Sequence, residues 1–473
     1  MIKPSHLRNT ALIPISFCLL ALSACQKSET PSAESTPPPA PAASPAPASA
    51  TPNSFADVTA QLDPGGDFYL YLSTAQWLGK LANFLDSIHD AELPQAPGPD
   101  RDFVDREFAL IKDIVQKSGL QDITGIGASS FNYLPGLYRN KVFIHHDPAN
   151  SSGVLWAVHG KDPHPLTGLD LLPSDTAAAG MGDFDLALLV NFIRQEAATV
   201  PQFQQPVTQW QTQFAGLTGL QIDDVLASLD GAFGMVLTLD ATATISVPVA
   251  GQSRTLPYPR LALLIAVKND LIFKQADKML TAALGLNKVD EPGLQMRSMT
   301  APSLGNIQFH PAIAQWNGYL ILASDDTLVR SIIAVQQGAP GFKSTPDYLA
   351  LSPGLPQQGN SFAVVTQHFA DVLHNYETQF YASHPGYGPQ AALMQRFQKT
   401  GRLIAIGEKL PNGWLSVSQG SQGSTQLIPP LLVGPAMMLS QFAKASSALG
   451  LRPRLTSPSA TPPAPAWNPG PSP

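Results

Sequence analysis

The chain has 473 residues, of which 44% are hydrophobic and only 13% charged, and its formal net charge is −7. Such a composition supplies a large core. A mildly acidic chain with so few charges has no electrostatic footprint for nucleic acid and no basic patch for an anionic lipid surface. There are only two cysteines, Cys18 and Cys25, so disulfide frameworks and thiolate metal sites have little to build on.

The chain opens with a short basic start (Lys3, Arg8), then an apolar stretch from Ala11 to Leu22, then Ser23, Ala24 and Cys25. This is the layout of a secretory signal. The apolar run is shorter than the roughly 20 residues of a spanning helix and contains Pro14, which argues against an anchor helix. Residues 1–24 are therefore expected to be removed, taking Cys18 with them and leaving a charge of about −9. The four residues Leu22, Ser23, Ala24 and Cys25 resemble the lipobox of bacterial lipoproteins. That resemblance implies lipidation (palmitate included) of Cys25 as the mature N-terminus and membrane attachment through that lipid. Gln26 in place of aspartate resembles the sorting pattern for an outer membrane, with the body facing the periplasm.

Residues 25–53 read as a disordered tether rich in proline, alanine and serine, able to hold the body up to about 80–90 Å from its membrane. An α+β body follows, divided as 54–170, 171–340 and 341–450, and a Pro-rich tail covers 451–473. Strand-like runs are expected at Phe68–Leu72, Val142–His146, Val154–His159, Phe233–Leu239, Leu261–Val267, Tyr319–Ala323, Phe362–Val365, Leu403–Ile406 and Trp414–Val417. Helical periodicity marks Thr74–Ile88, Phe103–Lys117, Asp185–Ala198, Leu271–Leu284, Asp325–Val335, Gln367–Phe380 and Ala391–Lys399. Asn317-Gly318 and Asn412-Gly413 are hairpin turns.

Frequent hairpins without strict strand–helix–strand alternation predict antiparallel or mixed sheets with helices packed on one face. A strand, helix, helix, hairpin order begins at Gly66 and again at Gly359, with a poorer copy over 182–240, which suggests two or three weakly repeated modules. The apolar run from Leu427 to Leu439, continuing to Leu449, contains almost no basic residues and reads as a helix closing the core or covering a groove.

Candidate chemistry is sparse. His145, His146, Asp147, His159, Asp162 and His164 are the densest set of potential metal ligands, with His146 and Asp147 the candidates to test. If Val142–His146 and Val154–His159 formed one hairpin with His146 opposite Val154, His159 would lie about 13 Å along the strand from His145. Adjacent His145 and His146 would also point to opposite faces, so strand-edge histidines are the favoured reading and no metal or other cofactor is expected. Asp223-Asp224 and Asp325-Asp326 resemble paired catalytic carboxylates, but each sits where a helix begins, with Ser324 as the expected cap, so dipole complementation is favoured. Gly125-Ile126-Gly127 lacks a third glycine and an opening helix, and reads as a glycine-softened strand. No nucleophile elbow, zinc-helix motif or phosphate loop occurs.

The body resembles a family of exported bacterial proteins known only as a domain of unknown function. The likeness lies in Asp67–Leu72, Gly219–Leu237, Trp316–Asp326 and Thr345–Tyr348. It implies an architecture and no catalytic residue. The expectation is a lipid-anchored envelope protein that binds or scaffolds an envelope protein, lipid or peptide and leans away from catalysis. The competing expectation is an envelope hydrolase acting on a cell-wall or surface polymer, with a site assembled from scattered residues.

Overall fold

The computed structural model describes residues 54–423, except 79, 96–97, 151–152, 161, 200, 250–251, 281–285, 302–308 and 384–400. The expected signal with Cys25, the expected tether, the expected Ala391–Lys399 helix, the Leu427–Leu449 run and the Pro-rich tail all lie outside the described residues.

Helix α1 (Phe55–Ala60) leads into strand β1 (Phe68–Ser73), helices α2 (Ala75–Leu78), α3 (Leu81–Glu92) and α4 (Gly98–Ser118), and the hairpin β2 (Ile123–Leu134)–β3 (Leu137–His146). Helix α5 (Val154–Ala157) and the two-residue β4 (His164–Pro165) precede β5 (Thr176–Asp183). Then come α6 (Leu186–Ala198), α7 (Pro201–Thr218), α8 (Ile222–Ser228) and the long hairpin β6 (Leu229–Val249)–β7 (Gln252–Val267). Helix α9 (Leu271–Leu280) is followed by β8 (Leu286–Glu291), β9 (Leu294–Met299), β10 (Ala312–Trp316), β11 (Tyr319–Ala323) and α10 (Asp326–Gln336). The last described elements are α11 (Pro346–Leu351), β12 (Gln358–Gly359), β13 (Ser361–Val365), α12 (Gln367–Ser383), β14 (Leu403–Leu410) and β15 (Gly413–Gly420).

The fold is α+β. Thirteen strands form one sheet in the order β1-β2-β3-β15-β14-β13-β5-β6-β7-β11-β10-β9-β8. Every ladder in it is antiparallel. Strands drawn from the whole of 68–420 join this sheet, with β13–β15 inserted between β3 and β5. A strand, then one or more helices, then a hairpin occurs at β1–β3, at β5–β7 and at β13–β15, a likeness of connectivity that does not by itself make them copies.

Side chains alternate between the two faces of a strand. On what we call the core face, Phe143, Ile406, Phe362, Val236, Leu264 and Ile321 join one buried cluster beneath Leu328, Val329 and Ile332 of α10 and Val58 of α1. The opposite, outer face has two smaller clusters. Leu78 of α2 and Trp156 of α5 cover Ile126, Ile144 and Trp414, and Leu226 of α8 and Phe273 of α9 cover Phe233, Ile265 and Leu320. Helical cover is thus divided between the two faces rather than gathered on one.

Several sequence expectations change. Val154–His159 is not a strand. Its first four residues form α5, which buries Trp156 and lets its indole Nε1 donate to the Gly119 carbonyl at 2.9 Å. A short apolar run fits strand or helix equally well by pattern, and the neighbours decide, because β3 is already paired on both sides by β2 and β15. His146 accordingly pairs with Ile123, not Val154. The Thr74–Ile88 helix is two helices, α2 and α3, and the expected Leu271–Leu284 helix is present over its described part, to Leu280. The Asn317-Gly318 turn forms as read, with φ of 45° and 78°, the left-handed pair such a two-residue hairpin loop requires.

Candidate binding face

Two residues along the strands from the Phe233, Ile265 and Leu320 cluster, the outer face carries a row of exposed apolar side chains. One cross-strand row passes through Ser130, Asn140, Ser418, Ala405, Ala363, Gly180, Met235, Leu263, Leu322 and Ile313. The next row passes through Tyr138, Gly420, Leu403, Val365, Ala178, Leu237 and Leu261. Over these stretches neither row contains a charged residue. Met235, Leu261, Leu263 and Leu322 are 45, 39, 41 and 37% exposed, and they are immediate neighbours in β6, β7 and β11. Ala405, Ala363 and Gly180, on β14, β13 and β5, lie beside them with almost no side chain. The result is a low apolar shelf along one side of a ridge of larger side chains.

The strip ends abruptly at β9. Arg297 follows Ile313 in the same row, is 5% exposed, and holds Asp277 of α9 through both carboxylate oxygens at 2.7 and 2.9 Å. It also donates to Asp290 at 2.8 Å and lies over the Phe273 ring. Hydrogen bonds from Arg297 hold the Asp277 carboxyl below its usual range. This pair, with Arg297 buried and Asp277 half-buried, pins α9 onto β8–β9.

The potential metal ligands noted in the sequence do not converge, and no group of three or more His, Cys, Asp or Glu suited to an ion occurs among the described residues. His145 and His146 face opposite ways. His145 is buried on the core face, with Nδ1 at 2.6 Å from Thr124 Oγ1 and Nε2 at 3.4 Å from Asp57. Burial pushes its pKa down, against the pull of Asp57. His146 stacks on Trp156 at 4.1 Å. Asp147 accepts from the Ala149 backbone N–H at 3.0 Å, and the Asp162 carbonyl accepts from Asn360 at 3.2 Å. His159 is wedged between Phe184 and Trp414, and burial lowers its pKa. His164 meets Asp183 at 3.0 Å. Burial works against the charged ring there, and the bond to Asp183 with that to the Pro165 carbonyl outweighs it, so its pKa is raised.

The paired aspartates serve helix starts. Asp223 and Asp224 occupy the first turn of α8, where Asp223 binds Arg194. Asp325 is itself the cap of α10, accepting from Thr327 N at 2.9 Å, while the expected cap Ser324 instead accepts from Leu261 N. Gly125 and Gly127 are strand residues, as read. A Cβ on Gly127 would lie 2.4 Å from Val58 Cγ1, so the glycines let α1 settle on the sheet.

Sequence reading missed Thr124 and Asp57, which with His145 make a hydroxyl–imidazole–carboxylate chain. No motif announces it, because the three come from α1, β2 and β3. It resembles a nucleophile, base and orienter in connectivity. Its surroundings argue for a structural tie: the Thr124 carbonyl also accepts from Ser54 Oγ and Thr74 N, which binds α1 and the start of α2 to β2. Two recesses are described elsewhere. One of about 130 Å³ is floored by Leu166, Leu169, Leu355, Ile404 and Ile406, and one of about 630 Å³ lies between α3 and α4 around His89, Asp105 and Lys112. Neither includes Thr124, His145 or Asp57. No family model, no curated protein and no solved structure matches this chain, so what it does rests on the residues described above.

Proposed function

We propose that this is a lipid-anchored envelope protein that binds the apolar chain of a lipid on the open strip of its sheet and performs no chemistry on it. The observation that carries the reading is the run of exposed, uncharged side chains at Met235, Leu261, Leu263 and Leu322 beside the Ala363–Gly180 shelf. Four side chains about two-fifths exposed amount to roughly 300 Å², the range in which a monomer's largest apolar patch is often functional. A stable protein partner would cover about 800 Å² on each side, far more than the strip offers, so a slender apolar ligand is the better fit. The Leu22–Cys25 lipobox and the tether of residues 25–53 support a place beside a membrane, with Cys25 lipidated and the body on the periplasmic side of an outer membrane. Among the described residues no helix is long and apolar enough to cross a membrane.

The test is purification of the intact lipidated protein with mass spectrometry of co-purifying lipids and proteins, alongside titration with an apolar fluorescent probe, N-phenyl-1-naphthylamine. A co-purifying lipid and at least a tenfold loss of probe affinity in Leu263→Glu are expected. A ligand-free protein whose probe binding ignores Leu263→Glu refutes the reading, and a co-purifying protein in place of lipid would redirect it to scaffolding. The hydrolase alternative rests on the Thr124–His145–Asp57 chain. Envelope-polymer hydrolysis abolished by Thr124→Val would revive it.

A further inference from the structure

Arg139 and Lys141 share the core face of β3, and Arg402, distant in sequence, directly precedes β14, with only β15 between those two strands. Arg139 stands directly opposite Gln419 of β15, and Gln419 opposite Ile404 of β14, two residues from Arg402. Asp63 faces Lys141 at 2.7 Å and Arg139 Nε at 3.6 Å, and Asp347 holds Arg402 at 3.0 Å. Three cations meet two carboxylates, which leaves one positive charge over.

The polar atoms here are also left incomplete. Among buried side-chain polar atoms without a hydrogen-bond partner, four belong to this one patch: Asp63 Oδ2, Arg139 Nε, Tyr133 Oη and Gln419 Oε1. Gln419 is 1% exposed and spends its amide N–H on the Pro353 carbonyl at 2.9 Å, so its oxygen stays unmatched. The Arg139 guanidinium makes no hydrogen bond among the described residues, only the long contact to Asp63. Both side chains border Gly354, whose Cβ, if it had one, would lie 3.5 Å from Arg139 Nη1 and 3.7 Å from Gln419 Nε2. The Tyr133 hydroxyl feels the charge of both Arg402 and Arg139. Buried polar groups in folded proteins are nearly always paired, and a cluster of exceptions calls for a missing partner.

We propose that Arg139, Tyr133, Arg402 and Gln419 form a site for a singly charged phosphate group. The guanidinium fork of Arg139 suits two oxygens of an oxyanion. The Tyr133 hydroxyl supplies a further donor, and the spare positive charge matches a single negative one. Gln419 Oε1 requires a donor, which a carboxylate lacks. A protonated phosphate, or a phosphodiester with a neighbouring hydroxyl such as a phosphatidylglycerol headgroup, supplies it. This site lies on the face opposite the apolar strip and does not depend on it.

The experiment uses the full chain with Cys25→Ser, so that no attached lipid interferes. Inorganic phosphate is titrated by calorimetry, and flotation is measured with vesicles of phosphatidylglycerol or of phosphatidylcholine. Arg139→Gln and Arg139→Lys are each expected to weaken the response at least tenfold, with circular dichroism unchanged, because lysine restores the charge but not the fork. Calorimetric binding of free phosphate identifies the small anion as the ligand. Arg139-dependent flotation with phosphatidylglycerol alone identifies the headgroup. Binding of either probe that is indifferent to Arg139, or no binding of either, overturns the proposal.

Discussion

Ile321 and Leu322 are consecutive residues of one strand, and they show how differently the two faces of this sheet are treated. Ile321 is 0% exposed, enclosed by the cluster under α10, while Leu322 is 37% exposed on the outer face. Both are aliphatic and both are flanked by aliphatic neighbours on β7, Leu264 and Leu263. The difference comes from what lies above them. On the core face α10, α1 and the 3-10 turn Thr167–Leu171 close over the strands. On the outer face the helices reach only the clusters around Trp156 and Phe273, and the middle of the sheet keeps an apolar surface that no described element seals. A contiguous exposed apolar surface of this kind marks a place of use more often than an accident of folding.

The contrast can be broken most sharply by truncation. Ile321→Ala should cost about 2–5 kcal/mol, and Leu322→Ala within about 1 kcal/mol, read as shifts in urea midpoint at constant slope. Equal costs would mean that the outer face is as closely packed as the core face. Next in size, Gly127→Ala should cost about 1–3 kcal/mol, because the new methyl meets Val58 and Leu62 and must lift α1 from the core face. Ala363→Gly on the exposed shelf should cost about 1 kcal/mol or less, from backbone freedom alone.

The smallest effect is a pH dependence shared by both faces. Burial holds the pKa values of His145 and His159 below the ordinary histidine value. As pH falls through about 6.5 the unfolded chain takes up protons at these two positions that the folded chain still refuses, so their contribution lowers stability toward pH 5, against the opposite contribution of His164. His159→Phe should flatten part of that slope in denaturation curves run between pH 7 and pH 5. A slope unchanged by the substitution would show that His159 is not sealed between Phe184 and Trp414.

Much of the architecture is legible from local pattern. The alternating Phe68–Leu72 run, the Asn-Gly turn at 317–318 and the periodicity of Asp325–Val335 each declare their element, because side-chain spacing and turn chemistry act over a few residues. β5 shows where that fails. Thr176–Asp183 reads TAAAGMGD, with hardly a β-forming side chain, and it is a strand because β13 and β6 pair with it on both sides. The α5 segment fails in the other direction, since an apolar run that would serve as a strand finds both edges of β3 already occupied.

The functional surfaces divide in the same way. The sequence alone carries the expectation of an export signal, the likeness of Leu22–Cys25 to a lipobox and the scarcity of motif chemistry, because these are contiguous features read by charge, length and residue type. It does not tell that Arg402, at the start of β14, comes to lie one strand away from Arg139 and Lys141 of β3, each region with its own aspartate. Which leucines are sealed and which stay open, and which polar atoms go unpaired, was decided only when strands distant in sequence were laid side by side. Burial and pairing are properties of what covers a residue, and the covering elements come from elsewhere in the chain.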